Sequence, residues 1–106
     1  MAQLIVLKKI LRRYDLLMIK KKIKIINKLG LHARASSKLT QLACTFTSEV
    51  FLNKDGIKAN AKSIMEVLML AASKNTIILL EASGPDEKKA ILDIEKLFVN
   101  YFGEGE

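Results

Sequence analysis

Apolar and polar residues alternate over Ile19 to Ile26, with Ile23 and Ile25 on one face and the lysines largely on the other. That period predicts a first strand. Lys28-Leu29-Gly30 then reads as a turn, and the spacing changes. Ala35, Leu39, Leu42, Ala43 and Phe46 recur at helical intervals, which predicts a first helix over Ala33 to Thr45. A second strand follows over Ser48 to Asn53, with Val50 and Leu52 facing one way. Asp55-Gly56 is a hairpin-turn signal, because both residues tolerate positive φ. A short third strand covers Ile57 to Asn60. Ser63 opens a brief helix reaching about Leu70, and Thr76 to Glu81 reads as a buried fourth strand. Ser83-Gly84-Pro85 starts the last helix, with proline in the first turn where its missing N–H costs nothing. Its apolar stripe is Ile91, Ile94, Leu97, Phe98 and Tyr101, and the Gly-Glu-Gly-Glu tail is expected to fray.

The element order is therefore β-α-β-β-α-β-α. A tight turn between adjacent strands implies an antiparallel pair. Placing every helix on one side of the sheet buries all the amphipathic stripes together. The predicted fold is α+β: an open-faced β-sandwich, a four-stranded antiparallel sheet with three helices on one face.

Length and composition narrow the class. The 106 residues suit one domain, half of them are apolar, and one is proline, which describes a compact chain rather than a disordered one. No apolar run approaches the roughly 20 residues that span a bilayer. The single cysteine, Cys44, has no partner for an internal disulfide; it fits a cytoplasmic setting and reads as a small packed hydrophobe. One Cys and one His cannot supply the usual four ligands of a zinc site, which sets zinc aside; no metal and no cofactor is expected.

The net charge of +7 divides unevenly. Residues 1–17 carry Lys8, Lys9, Arg12 and Arg13 against Asp15, and most of the remaining excess is Lys20, Lys21, Lys22 and Lys24. This balance favours acidic partners. An RNA-binding module tracking phosphates with Lys20 to Lys24 is the disfavoured alternative, since no tryptophan and no recognisable RNA-binding motif accompanies the lysines. Residues 1–17 read as codons ahead of a start at Met18, in preference to a membrane-surface anchor, because a complete domain can be laid out over 18–106.

The chemistry gathers at the one histidine, in Gly30-Leu31-His32-Ala33-Arg34. His32 falls at or next to a helix N-cap, where backbone N–H groups lack intrahelical partners and the dipole end is positive. Such a position suits a bound or transferred anion. A neutral imidazole at that position is a nucleophile. A phosphoryl group accepted by the ring would meet the N–H groups of Ala33 and Arg34 and the planar guanidinium of Arg34. A histidine that only caps the helix is the competing reading of these residues alone.

GLHARASSKLTQLA followed by NAKSIMEVLMLAA resembles HPr, the histidine-containing phosphocarrier family of the phosphoenolpyruvate-dependent phosphotransferase system. The resemblance covers roughly residues 18–102. It implies that His32 accepts a phosphoryl group on Nδ1 from phosphorylated enzyme I and passes it to a IIA-type acceptor. It assigns Arg34 to phosphoryl stabilisation and Ser63 to regulatory phosphorylation by an HPr kinase/phosphorylase. Ile64 and Met65, with Lys38, are the expected partner-docking residues. The implied protein is a cytoplasmic monomer with no nucleic-acid partner and no stable membrane association, a carrier component rather than a stand-alone enzyme. A regulatory relative working without sugar transport is the alternative.

Two positions depart from the family pattern. Ala35 stands where most relatives have proline, which restores an N–H to the helix start. Glu66 stands where glycine or lysine is frequent. Ser63-Ile64-Met65-Glu66 is itself a capping box, in which hydroxyl and carboxylate are expected to satisfy backbone donors reciprocally.

Overall fold

The computed structural model describes residues 18–105; the reading of residues 1–17 lies outside them. The elements are β1 (Met18–Lys24), α1 (Ala33–Ala43), β2 (Glu49–Lys54), β3 (Ile57–Asn60), α2 (Ile64–Met69), β4 (Ile77–Ser83) and α3 (Glu87–Val99), closed by a 3-10 turn over Tyr101–Gly103. The order matches the predicted β-α-β-β-α-β-α. The strands form one sheet in the order β1-β4-β2-β3, and every neighbouring pair is antiparallel. β1 and β2 therefore run the same way on either side of β4, with α1 as the crossover between them.

The pleat explains which strand residues are buried. Ile23 and Ile25 in and after β1, Val50 and Leu52 in β2, Ala59 in β3, and Ile78, Leu80 and Ala82 in β4 all point to the helices, because alternate residues share a face. Ala35, Leu39 and Ala43 of α1, Val67 of α2, and Ala90, Ile91, Ile94 and Phe98 of α3 cover that face. Lys21 shares the inward parity of Ile23, yet its ammonium emerges at the margin to meet Glu95 of α3 at 2.8 Å. The Asp55-Gly56 turn is left-handed at both residues, φ 50° and 84°, as a two-residue hairpin requires.

Four local expectations are corrected. The last helix starts at Glu87 rather than at Ser83, because β4 continues to Ser83 and Asp86 turns its carboxylate away from the helix. That carboxylate accepts from the Thr47 and Ser48 amides at 2.9 Å each and from the Ser48 hydroxyl. These bonds, the Ser48 hydroxyl foremost, lower its pKa from 3.8 to about 2. Tyr101 leaves the apolar stripe, since the chain turns left-handed at Tyr101 and Phe102 (φ 56° and 54°). Phe102 is buried in its place, edge-on to Phe98 with centroids 4.8 Å apart. Cys44 is exposed rather than packed, because α1 ends one residue earlier and Cys44 is its cap. The tail does not fray at Glu104: its amide bonds the Tyr101 carbonyl at 2.9 Å, and its side chain is engaged as described below.

Candidate functional site

Two backbone constraints place His32. Gly30 adopts φ +63°, and a Cβ there would sit 2.4 Å from the Ala72 carbonyl oxygen and 2.8 Å from Ser73 Cα. Only glycine lets the turn press against the segment that follows α2. The contact is then tied by Leu31 N–H donating to the Ala72 carbonyl at 2.8 Å. The buried Asn27 side-chain amide donates to the Gly30 carbonyl at 2.8 Å, and Ser36 Oγ to the Leu31 carbonyl at 3.0 Å. The chain enters α1 with its direction fixed on both sides.

His32 is the N-cap of α1 in an extended conformation, φ −72° and ψ 178°. Its carbonyl accepts from Ser36 N–H at 2.8 Å. The preceding amides, those of Ala33, Arg34 and Ala35, therefore belong to the turn in which a helix has no acceptor to offer them. No side chain caps this end and the first turn of α1 holds no acidic residue, so the partial positive charge of the helix start is left for an incoming anion. Ala35 adds a third amide that a proline would remove.

The imidazole is neither sealed in the core nor fully solvated, at 24% side-chain exposure. Its Nε2 lies 3.0 Å from both carboxylate oxygens of Glu104. Among the described residues, Nδ1 has no hydrogen-bond partner. Lys28, Leu29, Arg34, Gly103 and Glu104 line an open basin of about 480 Å³ beside the ring. Glu104 is the one carboxylate in that lining, which also holds Lys28 and Arg34. The arrangement offers a free ring nitrogen, a cationic wall and unpaired amides, which together suit reversible capture of a small dianion.

The remaining candidates are distributed as follows. Arg34 is exposed and lines the basin. Lys38 is not a free surface cation: its ammonium donates to the Phe102 carbonyl and ties α1 to the terminal turn. Ser63 is the N-cap of α2, and its hydroxyl accepts from Glu66 N–H at 3.4 Å. The reciprocal half of the capping box is absent among the described residues, because the Ser63 amide already bonds the Asn60 carbonyl at 3.0 Å. Glu66 instead accepts from the Asn60 amide at 3.2 Å. Ile64 and Met65 are exposed on α2, Met65 by 64%, and α2 packs against α1.

Sequence reasoning missed Glu104, Leu29 and Met69. Leu29 and Met69 are exposed by 66% and 78%; the sequence marks Leu29 only as part of a turn and gives Met69 no role. No local signal marks Glu104, which meets His32 across 72 positions of sequence.

Comparison with known proteins identifies relatives of the chain. The family described as "PTS HPr component phosphorylation site" matches residues 19–100. "Phosphocarrier protein HPr" of Neisseria meningitidis serogroup A is 55% identical over 89 residues, covering 84% of this chain and 100% of that protein. The protein of the same name from Cupriavidus necator is 56% identical over 82 residues, 77% of this chain and 92% of its own. Among solved structures, the crystal structure of HPr-C-His from Thermoanaerobacter tengcongensis superposes with a TM-score of 0.79 at 41% identity, covering 81% of this chain and 97% of that one.

Proposed function

The chain belongs to the HPr phosphocarrier family of the phosphotransferase system, and from that membership we propose that His32 is its phosphoryl acceptor, taking the group on Nδ1 from phosphorylated enzyme I and yielding it to a IIA-type acceptor protein. The observation that carries the assignment is the state of the ring. Nε2 is occupied by Glu104, so the lone pair left for nucleophilic attack is on Nδ1. The uncapped start of α1 and the presence of Arg34 in the lining of the adjoining basin support this reading, since free amides and a guanidinium bind phosphoryl oxygens.

Residues 18–106 constitute the carrier domain in this reading, supported by the family match over 19–100. Phosphotransferase-system enzymes are its partners. Leu29, Ile64, Met65 and Met69 offer exposed apolar contact, and unbranched methionines adapt to more than one partner. Lys38 contributes indirectly, by fixing the turn that carries Glu104. Phosphorylation of Ser63 would add negative charge at the N-cap of α2, where the helix tolerates it, and would act by altering docking rather than by unfolding. Among the described residues no helix is long and apolar enough to cross a membrane, and the proposed site of action is the cytoplasm.

The test is incubation with enzyme I and labelled phosphoenolpyruvate. Acid-labile label that vanishes in His32→Ala supports the assignment, whereas label that persists in that variant overturns it.

A further inference from the structure

We propose that Glu104 is a positioning residue for phosphoryl transfer, fixing the proton on Nε2 of His32 and stabilising the charge the ring acquires as Nδ1 reacts. The inference rests on the reading of His32 as acceptor. A carboxylate oxygen accepts hydrogen bonds and donates none when ionised. With both oxygens 3.0 Å from Nε2, that nitrogen carries the proton and Nδ1 keeps its lone pair.

The contact is built rather than incidental. Phe102 is buried against Phe98 and anchors the terminal turn. Lys38 of α1 holds the Phe102 carbonyl, while the Gly103 and Glu104 amides bond the Asn100 and Tyr101 carbonyls at 2.9 Å each. Tyr101 and Phe102 both take left-handed backbone conformations, which cost free energy for residues with a Cβ. The turn they make carries Glu104 back to the start of α1. Glu104 is 16% exposed and His32 24%, so water screens the pair only in part.

The atoms balance without any other proton donor. The Nδ1 lone pair forms the new N–P bond, the donor's bond to phosphorus breaks, and its electron pair stays with the donor. No proton has to move, because Nε2 is protonated at the outset. The ring, now bonded at Nδ1 and protonated at Nε2, is formally cationic and faces a carboxylate. That interaction is stronger in the charged product and in the transition state than in the neutral ring, which is the condition for accelerating the step. On the return step the same proton keeps the imidazole a good leaving group.

The experiment compares the full chain with Glu104→Gln and Glu104→Ala. Nitrogen-15 NMR of the His32 ring reads the tautomer, and single-turnover transfer from phosphorylated enzyme I at saturating concentration reads the step. The expected result is a single Nε2–H tautomer in the parent protein and a mixture in Glu104→Ala. Glutamine keeps an acceptor but no charge, so Glu104→Gln retains the tautomer. Glu104→Ala loses about tenfold or more in transfer rate, the size of effect expected for losing a hydrogen bond to a charged group, and Glu104→Gln, which keeps the bond without the charge, loses about fivefold. An unchanged tautomer in Glu104→Ala, or a rate within twofold of the parent in either variant, overturns the inference. Label on His32 of the parent protein is scored separately, so the acceptor assignment survives or fails by itself.

Discussion

Gly30→Ala is the substitution through which fold and site are most tightly joined. The added methyl would stand 2.4 Å from the Ala72 carbonyl oxygen and 2.8 Å from Ser73 Cα. Both are backbone atoms, so no rotamer change relieves the contact. Holding alanine at φ +63° costs roughly 1–2 kcal/mol. Relief of the clash then requires the 28–31 turn to part from the segment after α2. That separation loses the Leu31 amide bond to the Ala72 carbonyl, worth about 1 kcal/mol. It also strains the buried bond from Asn27 to the Gly30 carbonyl, worth about 1 kcal/mol more. The total is about 3–4 kcal/mol. Urea unfolding reads it directly: with a slope near the low end for small domains, roughly 1–1.5 kcal/mol/M, the midpoint falls by about 2–4 M. His32 lies two residues on, so transfer by the folded fraction falls as well. A midpoint within about 0.5 M of the parent would refute the close-approach argument.

Ser63→Ala removes the hydroxyl that accepts from Glu66 N–H and is expected to cost about 0.5–1 kcal/mol by urea titration, the low end for a cap because the bond is long; Ser63→Asp keeps a cap and holds most of that stability. Asp86, held at about 2 by the Ser48 hydroxyl and two amides, contributes stability that is fully present above its ordinary value of 3.8 and lost as pH falls through about 2; Asp86→Asn is expected to flatten the acid limb of the stability profile in that window. Phe102→Ala empties a buried aromatic site and is expected to cost about 3–5 kcal/mol in urea unfolding.

The sequence was a good guide to whatever depends on periodicity. Ile23 and Ile25, and Ala35, Leu39 and Ala43, lie on the buried faces their spacing predicted, because strands and helices impose their period on the pattern. Gly30 and Asp55-Gly56 were legible as turns, since their conformations exclude most other residues. The terminal turn was not legible. Two aromatic residues in left-handed conformations contradict local preference, and contacts remote in sequence, the bond from Lys38 and the burial of Phe102, help to sustain them. Glu104 was hidden for the same reason, in a Gly-Glu-Gly-Glu tail whose composition argues for fraying. Lys38 illustrates the converse. Its charge suggested a docking role, and only the fold reveals that the ammonium is spent on a carbonyl 64 residues away.

The most direct measurement is nitrogen-15 and phosphorus-31 NMR of the chain after phosphorylation by enzyme I. The account predicts one phosphoramidate, on Nδ1 of His32, with Nε2 still protonated. Phosphorus on Nε2, or on any other residue, would contradict it.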